Sequence, residues 1–440
     1  MQDWLTKSAA DLGRGIAAGE IDPVQLTEAF LAAIENHEFG SRIYVRLTPE
    51  RARAEAMAAH ERARADARLS PLDGVPISWK DLYDTAGVAT ESGTAMLKGR
   101  VPDTDALVLQ NANAAGLVCL GKTHQTEFAF SGLGLNPVTE SPPCVNDHEA
   151  VSGGSSSGAG TSVAFGLAAA GIGSDTGGSV RIPSVWNDLV GLKTVSGRLS
   201  LQGVVPLCAR FDTVGPLCRS VEDAGLLLAA LEGSAPRPFA MTSLGGVKLA
   251  VLKTMAFEGI EDAPRAAFQS AVERLQAAGA AVTAIEVPEV AEAAALGPVL
   301  FPAEAYGTWR KEIDAGADLM YPPVRTRFLQ GREISAADFV AGWQRLDALR
   351  LAYRAAVADF DAVILPSAPI LPPKMADVSA DEDLFTRKNL QALQNTRIGN
   401  LMGLAALTLP TGVPSCGIMF QGPNEEDLLR LGLAAEAALS

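Results

Sequence analysis

The chain has 440 residues, 48% of them apolar and 20% charged, with a net charge of −15. Such apolar content excludes general disorder and supports a large core, in one big α/β unit or in two or three ordinary domains. The acidic balance, with no basic tract to offset it, argues against a direct grip on nucleic acid. The opening residues MQDWLTKSAADLG lack the apolar run of a signal peptide. No segment reaches the roughly 18 uninterrupted apolar residues of a membrane helix, so a cytoplasmic protein without membrane contact is expected.

Apolar and alanine residues recur at helical spacing from Ser8 to Asn36 and from Pro49 to Ala67. A strand-like GVPISWK follows, ending at Lys80, and a second, AGLVCLGK, runs from Ala115 to Lys122. Beyond a glycine-serine segment come an extended apolar run, Val204 to Leu207, and a helix near Val221 to Leu231. Polar, proline-bearing residues near Ser234 to Pro238 mark a candidate subdomain junction. A strand at Val247 to Leu252, a helix at Ala263 to Ala278 and a strand at Ala281 to Ile285 continue the α/β alternation. Helices fill the 300s, and Ala362 to Pro366 and Ala406 to Pro410 read as late buried strands.

Function concentrates between Gly153 and Pro183, in GGSSSGAGTSVAFGLAAAGIGSDTGGSVRIP. Gly/Ser-rich stretches are commonly linkers. Here Val163, Phe165, Leu167 and Ala168 to Ala170 separate two clusters, and Val180, Ile182, Val185 and Trp186 follow the second, which sets both in a core. Ser155 and Ser179 thus sit in glycine-framed backbone whose N–H groups can close on an oxyanion, as acyl transfer requires.

Two nucleotide motifs fail on physical grounds. Gly116 to Thr123, GLVCLGKT, fits the phosphate-loop pattern with Lys122 in the lysine slot, but Leu117 to Leu120 is an apolar strand rather than an open anion cradle. Gly158 and Gly160 lack the third glycine of a dinucleotide fingerprint, because Val163 stands there. The five cysteines (Cys119, Cys144, Cys208, Cys218 and Cys416) form no CxxC pair, and the four histidines (His37, His60, His124 and His148) form no metal-binding spacing, so no metal or cofactor is expected. None of the histidines has the setting of a Ser-His-Asp base, and no GxSxG elbow surrounds either serine. A lysine serves instead if burial makes it neutral, and Lys80, at the end of an apolar strand, is the candidate.

Together GGSSSG, GSDTGGSVRIP, LDGVPISWKDLYDTAG and VGLKTVSGRLSLQGVVPL resemble the amidase signature family, from Leu12 to the Gly403–Pro410 segment and weakest between Leu244 and Pro302. The separations agree with that family's, 75 residues from Lys80 to Ser155 and 24 from Ser155 to Ser179. The resemblance implies one α/β/α domain over residues 1–440, a mixed twisted sheet covered by helices. Within it, 1–70 would be a helical N-terminal segment, 71–232 the catalytic core, 233–330 a variable substrate-side region and 331–440 the return to the core.

The same resemblance implies that Ser179 is the nucleophile, Ser155 a bridging serine after a cis peptide bond and Lys80 the base. Backbone N–H groups of Thr176, Gly177, Gly178 and Ser179 would hold the oxyanion, and Asp175 with Arg181 would form an internal pair shaping the loop. Glu127 matches a structural position, and His124 stands where relatives often carry asparagine. The implied activity is hydrolysis of a small-molecule amide through an acyl-serine, without a cofactor and with a homodimer as the expected assembly.

The family includes the glutaminase component of glutamyl-tRNA amidotransferase, its A subunit. There an aspartate three residues before the threonine of a TxxxN segment receives the ammonium of glutamine. Here Thr396 to Asn400 fits the segment and Leu393 takes the aspartate's place, while YPPVRTRFLQG from Tyr321 to Gly331 keeps Arg327 but not that protein's fuller basic pattern. A stand-alone amidase acting on neutral amides of apolar or aryl acids is therefore expected. The glutaminase component, and a catalytically silent binding homologue, are the alternatives.

Overall fold

Pro76 to Lys80 is buried at every position, as a strand covered on both faces must be. It is the second of thirteen strands in the computed structural model, which describes residues 2–237 and 240–440. In chain order these are β1 (Tyr44–Leu47), β2 (Pro76–Lys80), β3 (Val118–Thr123), β4 (Pro143–Cys144), β5 (Asp147–Val151), β6 (Ala170–Asp175), β7 (Val190–Lys193), β8 (Thr213–Cys218), β9 (Lys248–Leu252), β10 (Ala281–Ile285), β11 (Ala362–Pro366), β12 (Ala405–Pro410) and β13 (Gly417–Gly422). Eleven form one mixed sheet in the order β1-β3-β2-β6-β8-β7-β12-β13-β11-β9-β10, and β4 and β5 make a separate ribbon. Strand β2 runs parallel to β3 and β6, whereas β6 and β7 both run antiparallel to β8.

Helices cover this sheet, among them Ser157–Ala164 against β6, Val221–Glu232 against β8, and Glu425–Leu439 against β12 and β13. The fold is a single α/β domain. No helix among the described residues is long and apolar enough to cross a membrane.

The expected N-terminal helix is two helices, Ala9–Ala17 and Pro23–Asn36, because Asp22 caps the second through Val24 and Gln25 N–H and Pro23 opens it. Val204 to Leu207 forms no strand: Val204 makes one isolated bridge with Tyr83, and Pro206 has no N–H to donate. Strands β6, β7, β8 and β13 escape the apolar pattern because they carry glycine, serine, proline or glutamine. In β6 the composition is steric, since a Cβ on Gly171 would lie 2.5 Å from the Ala159 carbonyl oxygen of the covering helix. At the candidate junction, Ser234 to Arg237 has no helix or strand and Pro238 lies outside the described residues. The sheet continues past it, because β9 and β10 extend it beyond β11.

Candidate active site

Strands β2 and β6 lie side by side and both deliver polar side chains at their carboxyl ends, Lys80 from the first and Ser174 and Asp175 from the second. Lys80 is fully buried, and its Nζ lies 2.7 Å from Ser155 Oγ and 2.8 Å from Ser174 Oγ. Burial pushes the ammonium down to about 7, although the charges of Asp175 and Asp212 oppose the shift. Ser155 follows a cis peptide bond from Gly154 and precedes the helix Ser157–Ala164. The Ser156 N–H donates to the Ser179 carbonyl at 3.3 Å, which ties the two glycine-serine loops together.

The second loop is held by Asp175. Its carboxylate accepts from Arg181 Nε at 3.0 Å and Nη2 at 2.9 Å, from Asn400 Nδ2 at 2.9 Å, and from the Gly178 and Val180 N–H groups at 2.9 and 3.1 Å. Burial alone would raise this carboxyl, but the charge and hydrogen bonds of Arg181 hold it well below the usual carboxylate range. Arg181 is itself fully buried and also donates to Asn400 Oδ1 and to the Thr396 carbonyl, each at 2.6 Å.

Gly178 departs from the expected oxyanion donors, because its N–H is committed to Asp175. Its φ of +143° and the Thr396 hydroxyl, which would lie 2.2 Å from a Cβ, both require glycine there. The N–H groups of Thr176, Gly177 and Ser179 have no acceptor among the described residues.

Sequence reasoning overlooked four participants. Ser174 is the second hydrogen-bond partner of Lys80. Buried Asp212 receives Thr176 Oγ1 at 2.5 Å and the N–H groups of Leu207 and Cys208 at 2.9 and 3.1 Å, so it fixes the front of the loop. Asn400 completes the Asp175–Arg181 cluster. Arg397 lies beside Gly177, where a Cβ would meet its Cγ at 3.4 Å. Ser174 sits within the GSDTGGSVRIP motif itself, and Arg397 and Asn400 lie in the TxxxN segment, which marked the stretch but not their part in the loop; Asp212 had no local signal beyond its residue type.

Ser179 opens onto a small cavity together with Thr176, Gly177 and Ser131. Its apolar walls are Ala129, Phe130, Leu207, Phe301 and Leu393, and its charged walls are Arg327 and Arg397. His124 is elsewhere: it is buried and pushed down to about 4, and its carbonyl accepts the Gly158 N–H. Glu127, pushed up to about 7 by burial, accepts from Thr94 Oγ1 at 2.8 Å and from the Tyr321 N–H at 2.9 Å, joining two loops rather than entering the cavity. Lys122, the would-be phosphate-loop lysine, is buried with its Nζ 2.7 Å from both the Tyr83 carbonyl and Thr90 Oγ1 and 3.4 Å from Asp81.

The family model described as Amidase matches residues 25–429. The chain belongs to the amidase family. It is 33% identical over 396 residues to 2-amino-5-chloromuconic acid deaminase of Comamonas testosteroni, covering 87% of this chain and 85% of the relative. It is also 33% identical over 470 residues to the A subunit of the glutamyl-tRNA(Gln) amidotransferase of Chloroflexus aggregans, covering 98% and 95%. A solved amidase crystal structure superposes with a TM-score of 0.88 at 29% identity, over 99% of this chain and all of that one. Membership of the amidase family supports amide hydrolysis as the activity.

Proposed function

We propose that this amidase cleaves its substrate through an acyl-Ser179 intermediate with neutral Lys80 as the base. The observation that carries the reading is a fully buried lysine, 2.7 Å from a bridging serine, at the foot of a glycine loop with free N–H groups. A neutral amine has one lone pair and two N–H donors. It can hold Ser174 with a donor while Ser155 O–H donates to the lone pair, so that Ser155 in turn takes the proton of Ser179.

Ser179 Oγ then forms a bond to the amide carbonyl carbon, and the oxygen charge that develops is met by the N–H groups of Thr176, Gly177 and Ser179. On collapse the C–N bond breaks, and the proton taken by Lys80 returns through Ser155 to the leaving nitrogen. Water, activated by the same relay, splits the ester to the acid and restores Ser179. Asp212 and Asp175 position the donors from either side of the loop. Residues 233–330 form the substrate-side region in this reading, contributing Phe301 and Arg327 to the cavity.

The base fixes the pH dependence. Below about 7 Lys80 keeps its proton and has no lone pair to offer, and above it the amine is free. For a substrate with rate-limiting chemistry, kcat/KM rises through neutrality and levels off on the alkaline side. A profile flat from about pH 6 to about pH 9 overturns Lys80 as the base.

Hydroxylamine added during turnover diverts part of the product to a hydroxamate, since an acyl-serine can be captured by a good nucleophile. A sulfonyl fluoride labels Ser179 and stops turnover. Absence of both results returns the scaffold to a silent binding homologue.

A second reading, a glutaminase that works within a larger amidotransferase, is favoured by the 33% identity to the Chloroflexus protein over nearly its full length. Leu393 argues against it. It is buried in the cavity wall, where glutamine would need a carboxylate for its ammonium. Free glutamine is accordingly a poor substrate of the isolated chain. Efficient glutaminase activity that appears only with partner proteins would establish the second reading.

A further inference from the structure

The helix Glu382–Leu393 turns Phe385, Ala392 and Leu393 inward, and one polar residue, Asn389, shares that buried face at 1% exposure. Asparagine is a weak helix former and is costly to bury without partners. Its oxygen has them: Asn389 Oδ1 accepts the Gly132 N–H at 2.7 Å and the Ser131 hydroxyl at 3.2 Å. A backbone N–H can only donate, which fixes the way the amide faces. Nδ2 is left buried with no acceptor among the described residues, so Asn389 acts on its surroundings through its oxygen.

The segment that Asn389 holds leads to Ser155. The Gly132 carbonyl accepts the Gly154 N–H at 2.8 Å, the Leu133 carbonyl accepts the Gly153 N–H at 3.0 Å, and the Thr126 N–H donates to the Ser155 carbonyl at 3.1 Å. The fit has no slack, since a Cβ on Gly154 would lie 2.6 Å from Gly134 N and 2.9 Å from the Ser131 carbonyl oxygen. Phe128 and Ala129 just upstream sit at φ of +48° and +59°, a backbone that side chains disfavour. Such a turn needs contacts from outside, and Asn389 supplies one at the residue whose carbonyl faces Gly154.

The same stretch of chain reaches the other loop. Leu393, one turn on, packs against Gly132, where a Cβ would lie 2.9 Å from its Cγ, and Thr396 Oγ1 donates to the Gly177 carbonyl at 2.7 Å. Residues 389–396 therefore touch the loop of Ser155 through Gly132 and the loop of Ser179 through Gly177.

We propose that Asn389 is a positioning residue of this amidase, acting through Gly132 and Gly154 to hold the Ser155 hydroxyl between Lys80 and Ser179. The inference rests on the Lys80–Ser155–Ser179 relay above. Because Asn389 is not among the residues that line the cavity, its effect falls on the chemical step rather than on binding.

Two readouts on the full chain test this. One is kcat and KM for benzamide; the other is the rate at which phenylmethylsulfonyl fluoride labels Ser179, which needs an activated serine but no amide. Asn389→Leu is expected to lower kcat and the labelling rate together by about 10- to 100-fold, the scale of a misplacement of about 1 Å, with KM within about 3-fold. Asn389→Asp keeps the oxygen and drops the unpartnered N–H groups, and it is expected to restore most of both rates.

A double-mutant cycle decides the route. In a Ser155→Ala background Asn389→Leu costs less than about 2-fold more, because the hydroxyl it positions is already gone. A loss of full size in both backgrounds overturns the route through Ser155. So do unchanged rates in the folded fraction of Asn389→Leu, which would leave it a purely structural residue, and an Asn389→Asp protein as impaired as Asn389→Leu. Should Asn389→Leu not fold, Asn389→Ala carries the same cycle, and where benzamide turns over too slowly to measure, the labelling rate decides alone. Normal labelling in Ser155→Ala by itself sinks the relay, a result separate from any at position 389.

Discussion

Ser179→Ala lowers amide hydrolysis by about 10⁴- to 10⁶-fold while the protein stays folded, because the residues of a catalytic unit lose nearly everything when the nucleophile goes. The Ser179 hydroxyl makes no hydrogen bond among the described residues, so its removal leaves no buried partner unsatisfied. Lys80→Ala reaches a similar loss by another route: Ser155 and Ser174 remain, but nothing in the pocket accepts a proton near neutral pH. Ser155→Ala is severe but smaller, since a water in the vacated volume can bridge the lysine and Ser179.

Each histidine can be replaced without loss of chemistry. His37 and His148 lie in an aromatic cluster with Phe39 and Phe165, His60 is 2.6 Å from Asp22, and His124 is not among the residues that line the cavity. Steady-state kinetics on the folded variants checks both statements. Normal turnover in Ser179→Ala, or a folded single-histidine variant without activity, contradicts the assignment.

What could be read beforehand was the candidate site where its residues lie close in the chain. Ser155, Ser179 and the loop donors lie within one 31-residue stretch, and the strand that ends in Lys80 announces itself by its apolar residues. The late strands β11 and β12 were visible for the same reason. Strand β6 was hidden although it is central, because its glycines answer to the helix Ser157–Ala164 above them rather than to strand propensity.

The cavity was hidden differently. Phe301, Arg327, Leu393 and Arg397 reach Ser179 only because β11, β12 and β13 rejoin the sheet beside β7, and this brings the chain from the 300s back over the loop. A guanidinium at 397 looks like any surface arginine until the fold places it against Gly177. The commitment of the Gly178 N–H to Asp175 was likewise a matter of which way one peptide faces, which residue type does not determine.

The Asp175–Arg181 pair carries the largest expected effect on stability. Both side chains are fully buried, and their remaining donors and acceptors are taken by Asn400, the Thr396 carbonyl and the loop N–H groups. Replacing such a pair by apolar residues can be neutral, but removing one partner strands a charge, at about 3–5 kcal/mol. Arg181→Met therefore lowers the urea midpoint sharply, and it cuts kcat beyond what lost stability explains, since Asp175 also sets the direction of the Gly178 and Val180 peptides. Asp175→Asn combined with Arg181→Met recovers part of the stability because no isolated charge is left, but it does not recover kcat, as the loop has lost its anchor. Urea denaturation of the two variants, with kinetics on the folded fraction, tests this. An Arg181→Met protein that unfolds at the same urea concentration as the unmodified chain would show that the pair is solvated and that the loop is held by something else.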